Sequence, residues 1–298
     1  MVSVVLGLLL WQASQAPQKT HHQLGVELYR KGELQQAQQE LASAISENPN
    51  DREAVQLRGL ALFSLGRPVD AIPLLKQVQA WTPQPTVESA YALALAYIQT
   101  QNYEEARKQA ALMYSVTPDS AGAHLFTARL LLRQGHDPIA EQFAQKAVTL
   151  DPKLPLAHFL LGEFYLYKSE FDHAATEFRQ EISVNPAYAG TYDRLADTYS
   201  RQGRYDEADP LLRRAILLDA NATGPYILMG RVQLKKQDYV QAEQYLTRAL
   251  KMDANNYMTH NLLGQTYRAE GRAGDAEREL KTAEQLQSAQ HPQFEDPR

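Results

Sequence analysis

The sequence predicts an all-α chain made of one helical hairpin repeated end to end. Two observations carry that expectation. A small residue returns at Ala37, Ala71, Ala106, Ala140, Ala174, Ala208, Ala242 and Ala276, at spacings of 34, 35, 34, 34, 34, 34 and 34 residues. Twelve residues before each stands a second small residue: Gly25, Gly59, Ala94, Ala128, Gly162, Ala196, Gly230 and Gly264. Self-similarity at such a period is the signature of a repeat architecture, in which one helical unit cannot bury its apolar face alone and stacks on its neighbours to do so.

The elements follow in order within each repeat. The apolar residues of YDEADPLLRRAILL and VQAEQYLTRALKM recur at helical spacing, not strand spacing. Turn residues KGE, LGR, RQGH, RQGR and EGR fall between the two small columns, so each repeat reads as helix, short turn, helix. A break follows at NP, TP, DP or DA: Pro49, Pro83, Pro118, Pro152 and Pro186, then Ala220, Ala254 and Ser288. The eight repeats span about 18–51, 52–85, 87–120, 121–154, 155–188, 189–222, 223–256 and 257–290. A glycine in a helix interior costs up to about 1 kcal/mol. Gly162 is therefore expected to mark a close approach to the second helix, where a side chain larger than methyl would push the pair apart and where Ala174 plays the reciprocal role. Pro73 and Pro210, about five residues into their helices, are expected to delay the helix start. The 35-residue step at Trp81, Pro83, Gln84 and Pro85 predicts a local bend.

The ends differ from the array. Residues 1–17 hold an apolar run from Val2 to Trp11, and Ser14 and Ala16 are spaced like the small residues before a signal cleavage site. No Lys or Arg precedes the run, and Pro17 would follow the cut. A cleaved export signal, a truncated anchor helix and a disordered apolar start are the readings it leaves open. The run is too short for a stable membrane span, which takes about 20 apolar residues. With a signal the protein would be periplasmic or extracellular, and otherwise cytoplasmic. The last helix, GDAERELKTAEQLQSAQ, is charged enough to cap the array, and residues 291–298 read as a disordered tail.

Composition removes several function classes. Among 298 residues, 30 Lys and Arg face 35 Asp and Glu, a net charge of −5. That offers no basic excess for neutralising nucleic-acid phosphates. There are no cysteines, hence no disulfide, thiolate metal site or cysteine nucleophile. His21, His124, His158 and His260 occupy one repeat column, shared with Val55, Ala90, Tyr192 and Tyr226, so they read as packing residues and not as ligands. No H-E-x-x-H, G-x-x-x-x-G-K or G-x-S-x-G occurs. No metal, cofactor or catalytic residue is expected, and the short flanks of the array leave no room for a catalytic domain.

The repeat that begins at Tyr257 sets His260, Leu263–Gly264, Tyr267, Gly271, Ala276, Leu280 and Ala283 at fixed steps. This resembles the tetratricopeptide repeat family, and the resemblance covers about residues 19–290 in eight consecutive repeats of bacterial style. Glu181 departs from it, standing where the family prefers a small residue, and so does Arg58, which precedes Gly59 where the motif has leucine before glycine. The resemblance implies an α-solenoid wound as a right-handed superhelix, with a concave groove lined by each first helix. It implies a non-enzymatic scaffold that binds a peptide or protein segment in that groove. The alternatives are an exported assembly factor tethered at a membrane and a non-catalytic subunit of an enzyme complex. The Lys and Asn set of the subgroup that clamps a chaperone's terminal carboxylate has no match here beyond Asn261, and the asparagine ladder of the sugar-transferase subgroup is missing.

First-helix residues one turn either side of the small column are the groove candidates. In repeats 2 to 5 these are Leu60, Phe63, Tyr91, Leu95, Ile98, Leu125, Phe159 and Leu166. In repeats 6 to 8 they are Asp193, Arg194, Asp197, Arg201, Arg231, Lys235, Asn261 and Arg268. The expected partner surface is thus apolar in its first half and charged in its second.

Overall fold

A computed structural model describes residues 19–81 and 86–290. The apolar start, the proposed signal, the proline-rich step at 82–85 and the tail from 291 lie outside the described residues.

Sixteen α-helices follow one another in the described residues, and no strand occurs among them. They form consecutive pairs: α1 (His21–Arg30) and α2 (Leu34–Glu47), α3 (Arg52–Ser64) and α4 (Pro68–Trp81), α5 (Val87–Gln99) and α6 (Tyr103–Met113), α7 (Ala121–Arg133) and α8 (Asp137–Leu150). The second half continues with α9 (Ala157–Tyr167) and α10 (Phe171–Val184), α11 (Ala189–Arg201) and α12 (Tyr205–Leu218), α13 (Thr223–Lys235) and α14 (Tyr239–Met252), α15 (Tyr257–Ala269) and α16 (Ala273–Gln290). The fold is an all-α solenoid of helical hairpins. Its contacts divide into two compact bodies, Met1–Leu150 and Asp151–Arg298. Within each body, a first helix packs on its own second helix, and neighbouring first helices touch, as α1 does α3, α3 does α5, α11 does α13 and α13 does α15. First helices therefore lie side by side and share one face.

One device turns the chain inside every pair. Gly32, Gly66, Gln101, Gly135, Ser169, Gly203, Gln237 and Gly271 all have positive φ, between 60° and 80°. The next residue's N–H then bonds back to a carbonyl five residues earlier, from Glu33 to Leu28 through Arg272 to Tyr267, at 2.7–3.0 Å. This is the Schellman closure, which satisfies carbonyls that the ending helix leaves bare. Five of the eight positions use glycine, the residue that adopts the left-handed region without strain. Starts are secured by side chains: Thr20, Asp51, Thr86, Ser120, Asp238 and Asn256 each accept a backbone N–H three residues on.

The core follows the columns. Every alanine of the aligned series is buried. Each column glycine faces the residue four places beyond that alanine. A Cβ added at Gly25, Gly59, Gly162 or Gly264 would come within 2.6–2.9 Å of Leu41, Leu75, Phe178 or Leu280. The close approach expected at Gly162 is thus present, with two corrections. The neighbour is Phe178 and not Ala174, and even a methyl does not fit without a shift. Where the glycine becomes alanine, in repeats 3 and 4, the facing position shrinks too: Ala94 with Ala110, Ala128 with Ala144. Repeat 6 combines Ala196 with Leu212, so a methyl opposite leucine is housed there.

The prolines do not delay their helices. Pro73 and Pro210 lie inside α4 and α12, which begin five residues earlier. Both rings face solvent, while Ala71 and Leu75, and Ala208 and Leu212, are buried on either side and hold the turn. Packing outweighs the one lost helical hydrogen bond.

Glu181 also finds its explanation. It is fully buried on α10. Its carboxylate accepts the N–H of Leu156 at 2.8 Å and of Phe159 at 3.3 Å, where α9 begins. Leu156 is left-handed, with φ 70°, and gives no side-chain cap. Glu181 replaces that cap from the facing helix, and its negative charge suits the positive end of the α9 dipole.

Candidate functional site

In the second body, α11 presents Asp193, Arg194, Asp197 and Arg201 at steps of three and four residues, hence on one face. The neighbouring α13 presents Gly224, Ile227, Leu228 and Arg231 at the same steps. With Met258 of α15 these residues enclose a recess of about 250 Å³. Ile227 and Leu228 are buried beneath it, while the acids and arginines form its walls.

The charges are unevenly satisfied. Arg201 Nε donates to Asp197 Oδ2 at 2.9 Å. Arg194 Nε lies 3.1 Å from Glu163 Oε1 of α9, close enough for attraction. That oxygen is nevertheless buried with no hydrogen bond, because the guanidinium is not aligned with it. Arg231 reaches only to 3.9 Å from Asp197 and to 3.9 Å from the Met258 sulfur. Asp193 Oδ1 is buried without a hydrogen-bond partner. Burial pushes the carboxyls of Glu163 and Asp193 up, against the lowering influence of Arg194 and with Asp197 adding to the rise.

Five of the eight candidates of repeats 6 to 8 thus converge on one recess. The other three do not join it. Lys235 is exposed at the end of α13, Asn261 accepts a hydrogen bond from Gln265, and Arg268 borders a separate hollow with Ala273 and Leu280. The apolar half needs a correction. Leu60, Leu95, Ile98, Leu125 and Leu166 are at most 7% exposed. They pack between helices and form no exposed apolar surface. Phe63, Tyr91 and Phe159 are part-exposed, and Phe159 is engaged by the rings of Phe178 and Tyr188 at 5.9 and 5.3 Å. Glu163, Ile227, Leu228 and Met258 were not among the candidates. The period held the clue, since Ile227 and Leu228 lie 34 residues beyond Asp193 and Arg194.

The histidine column is structural, with a polar role. His21, His158 and His260 place Nδ1 2.6 Å from Glu40, Glu177 and Glu279 on the second helix of their own repeat. The inner edge of the column also ties down the preceding break. His158 and His260 Nε2, and the Tyr192 and Tyr226 hydroxyls, each meet the carbonyl six residues earlier at 3.0–3.3 Å. In repeat 4 the carboxylate is replaced by Phe143, whose ring lies 5.7 Å from that of His124. Among the described residues no group of three or more His, Asp or Glu is placed to hold a metal ion. Nor is any described helix long and apolar enough to cross a membrane.

Family models described as tetratricopeptide repeat match residues 28–94, 62–113 and 233–294, residues 91–155, and residues 189–218. The chain belongs to the tetratricopeptide repeat family. Its fold is that of protein–protein interaction scaffolds, and the recess lies on the first helices of three successive tetratricopeptide repeats. The solved structures it is similar to include MamA, at 17% identity and a TM-score of 0.51, covering 55% of this chain and 96% of that one. They include YrrB, described as a TPR protein with an unusual peptide-binding site, at 20% identity and a TM-score of 0.52, covering 64% and 95%. They also include PilF of Pseudomonas aeruginosa, at 17% identity and a TM-score of 0.54, covering 70% and 92%. No curated protein matches the chain.

Proposed function

We propose that this tetratricopeptide repeat protein is a non-catalytic scaffold that holds a peptide segment across α11, α13 and α15. The observation that carries the reading is the convergence of Asp193, Arg194, Asp197, Arg201 and Arg231 on a recess floored by Ile227 and Leu228. Apolar floor and polar wall are what a peptide site requires: the floor supplies affinity and the charged rim sets register. The peptide-binding description of YrrB supports the same class of ligand. Groove anchors in the first body are restricted to the part-exposed Phe63 and Tyr91.

The test is selection of a random-peptide phage library on the protein, followed by fluorescence anisotropy of the selected peptides. Replacing Asp193 and Arg231 together with Ala is expected to weaken binding at least about tenfold, with circular dichroism unchanged. Selected peptides that bind the variant and the original equally would overturn the reading.

A further inference from the structure

We propose that the recess recognises an uncharged primary amide, the side chain of a Gln or Asn in the bound segment. This rests on the peptide-binding reading above and names the chemistry that the site would select. The argument starts from which charges are already spent. Arg201 is hydrogen-bonded to Asp197, and the charge of Arg194, though not hydrogen-bonded, is met by Glu163 at 3.1 Å, closer than any carboxylate comes to Arg231. That leaves Asp193, with an oxygen lacking any donor, and Arg231, whose guanidinium makes no hydrogen bond to oxygen. Both line the same recess, and each feels the other's charge.

The remaining pair therefore offers one acceptor and one donor group on the lining of one recess. The lining holds Asp193 and Asp197 against Arg194, Arg201 and Arg231, and Glu163 behind Arg194 brings the charges of the site into balance. A lysine or arginine entering it would meet Arg194 and Arg231 as well as Asp193. A glutamate would meet the carboxylates of Asp193 and Asp197. Either would leave a net charge in a half-buried place, where an uncompensated charge is costly. A primary amide leaves the balance untouched. Its NH₂ donates to Asp193, and its oxygen accepts from Arg231. Its methylenes rest on Ile227 and Leu228. Polar sites of this kind discriminate strongly, because a ligand lacking a donor or acceptor leaves a buried group unpaired.

The experiment uses three blocked Ala/Gly heptapeptides that differ only at the centre, which is Gln, Glu or Lys. They are titrated into the full chain while its amide and arginine side-chain resonances are followed by NMR. The Gln peptide is expected to shift Asp193, Ile227 and Arg231 and to bind at least about tenfold more tightly than either charged peptide, with little dependence on salt. Arg231→Met, which keeps the apolar stem, is expected to erase that preference. If the Lys or Glu peptide binds more tightly, the amide assignment falls and peptide binding stands. If none of the three perturbs the recess, the peptide-binding reading falls with it.

Discussion

His158 is held between two oxygens: Glu177 Oε2 lies 2.6 Å from its Nδ1, and the Pro152 carbonyl lies 3.1 Å from its Nε2. Only the imidazolium can donate to both at once. The contact to Glu177 accordingly raises the pKa of His158 above its ordinary 6.5, although burial works the other way. A group whose folded pKa is raised contributes stability that is complete below the unfolded value and is lost as pH rises through the folded one.

The first prediction concerns that pair. As pH rises from below 6.5 through the raised folded value of His158, the protein is expected to lose stability that the Glu177→Gln variant does not lose. Urea midpoints measured across this range check it, and parallel curves would disprove it. His124 has no carboxylate at the equivalent position, and burial lowers its pKa. Its contribution has the opposite sign: it is present above 6.5 and lost as pH falls toward the lowered folded value, a trend His124→Phe should remove.

Gly162→Ala is expected to cost about 1–3 kcal/mol, because the new methyl enters the space of the Phe178 ring. Phe178→Ala alone should cost about 3–5 kcal/mol by opening a cavity. The double variant should be markedly less unstable than the sum, since the methyl then enters room that the ring has vacated. Additive losses in denaturant titrations would show that the two positions do not share one space.

Ser169 occupies a left-handed position that five other repeats give to glycine. Ser169→Gly is expected to stabilise the protein by about 0.5–1 kcal/mol: removing Cβ strain outweighs the extra freedom of glycine in the unfolded chain. A midpoint that stays put or falls would contradict this. The control is Gly203→Ala, which should move the midpoint the other way.

Glu181→Ala is expected to cost about 1–3 kcal/mol, as the amides of Leu156 and Phe159 lose a buried acceptor. Hydrogen exchange should quicken first at the start of α9. Exchange that is uniformly faster throughout the body would instead mean that Glu181 supports the whole stack and not that helix end.

How far these features could be read from the sequence depends on how many repeats share them. The hairpins, their turns and the glycine contacts were legible because each column is sampled eight times. The histidine partners were legible in principle, since Glu40, Glu177 and Glu279 each follow their histidine by 19 residues. Leu95 and Ile98 were misplaced for a physical reason. One turn from the small column, a first-helix residue can face the groove or the adjacent first helix, and the two choices have the same periodicity. The acids of α11 carry less of that ambiguity, because a charge packed between helices is costly unless other charges answer it, as the arginines of the recess do. Glu181 escaped because its role belongs to a single junction, where no column repeats it.

The volume match between facing columns also limits how such a chain can be rebuilt by recombination. If α7 were joined to α10, the methyl of Ala128 would be set against the Phe178 ring. The complementary product, α9 with α8, would leave a void between Gly162 and Ala144. A crossover inside a hairpin therefore yields two ill-fitting products. One placed at the breaks after Pro152 and Pro186 moves the two helices together. The heritable module is the whole hairpin, and lengthening or shortening by complete repeats is the change this architecture passes on most readily.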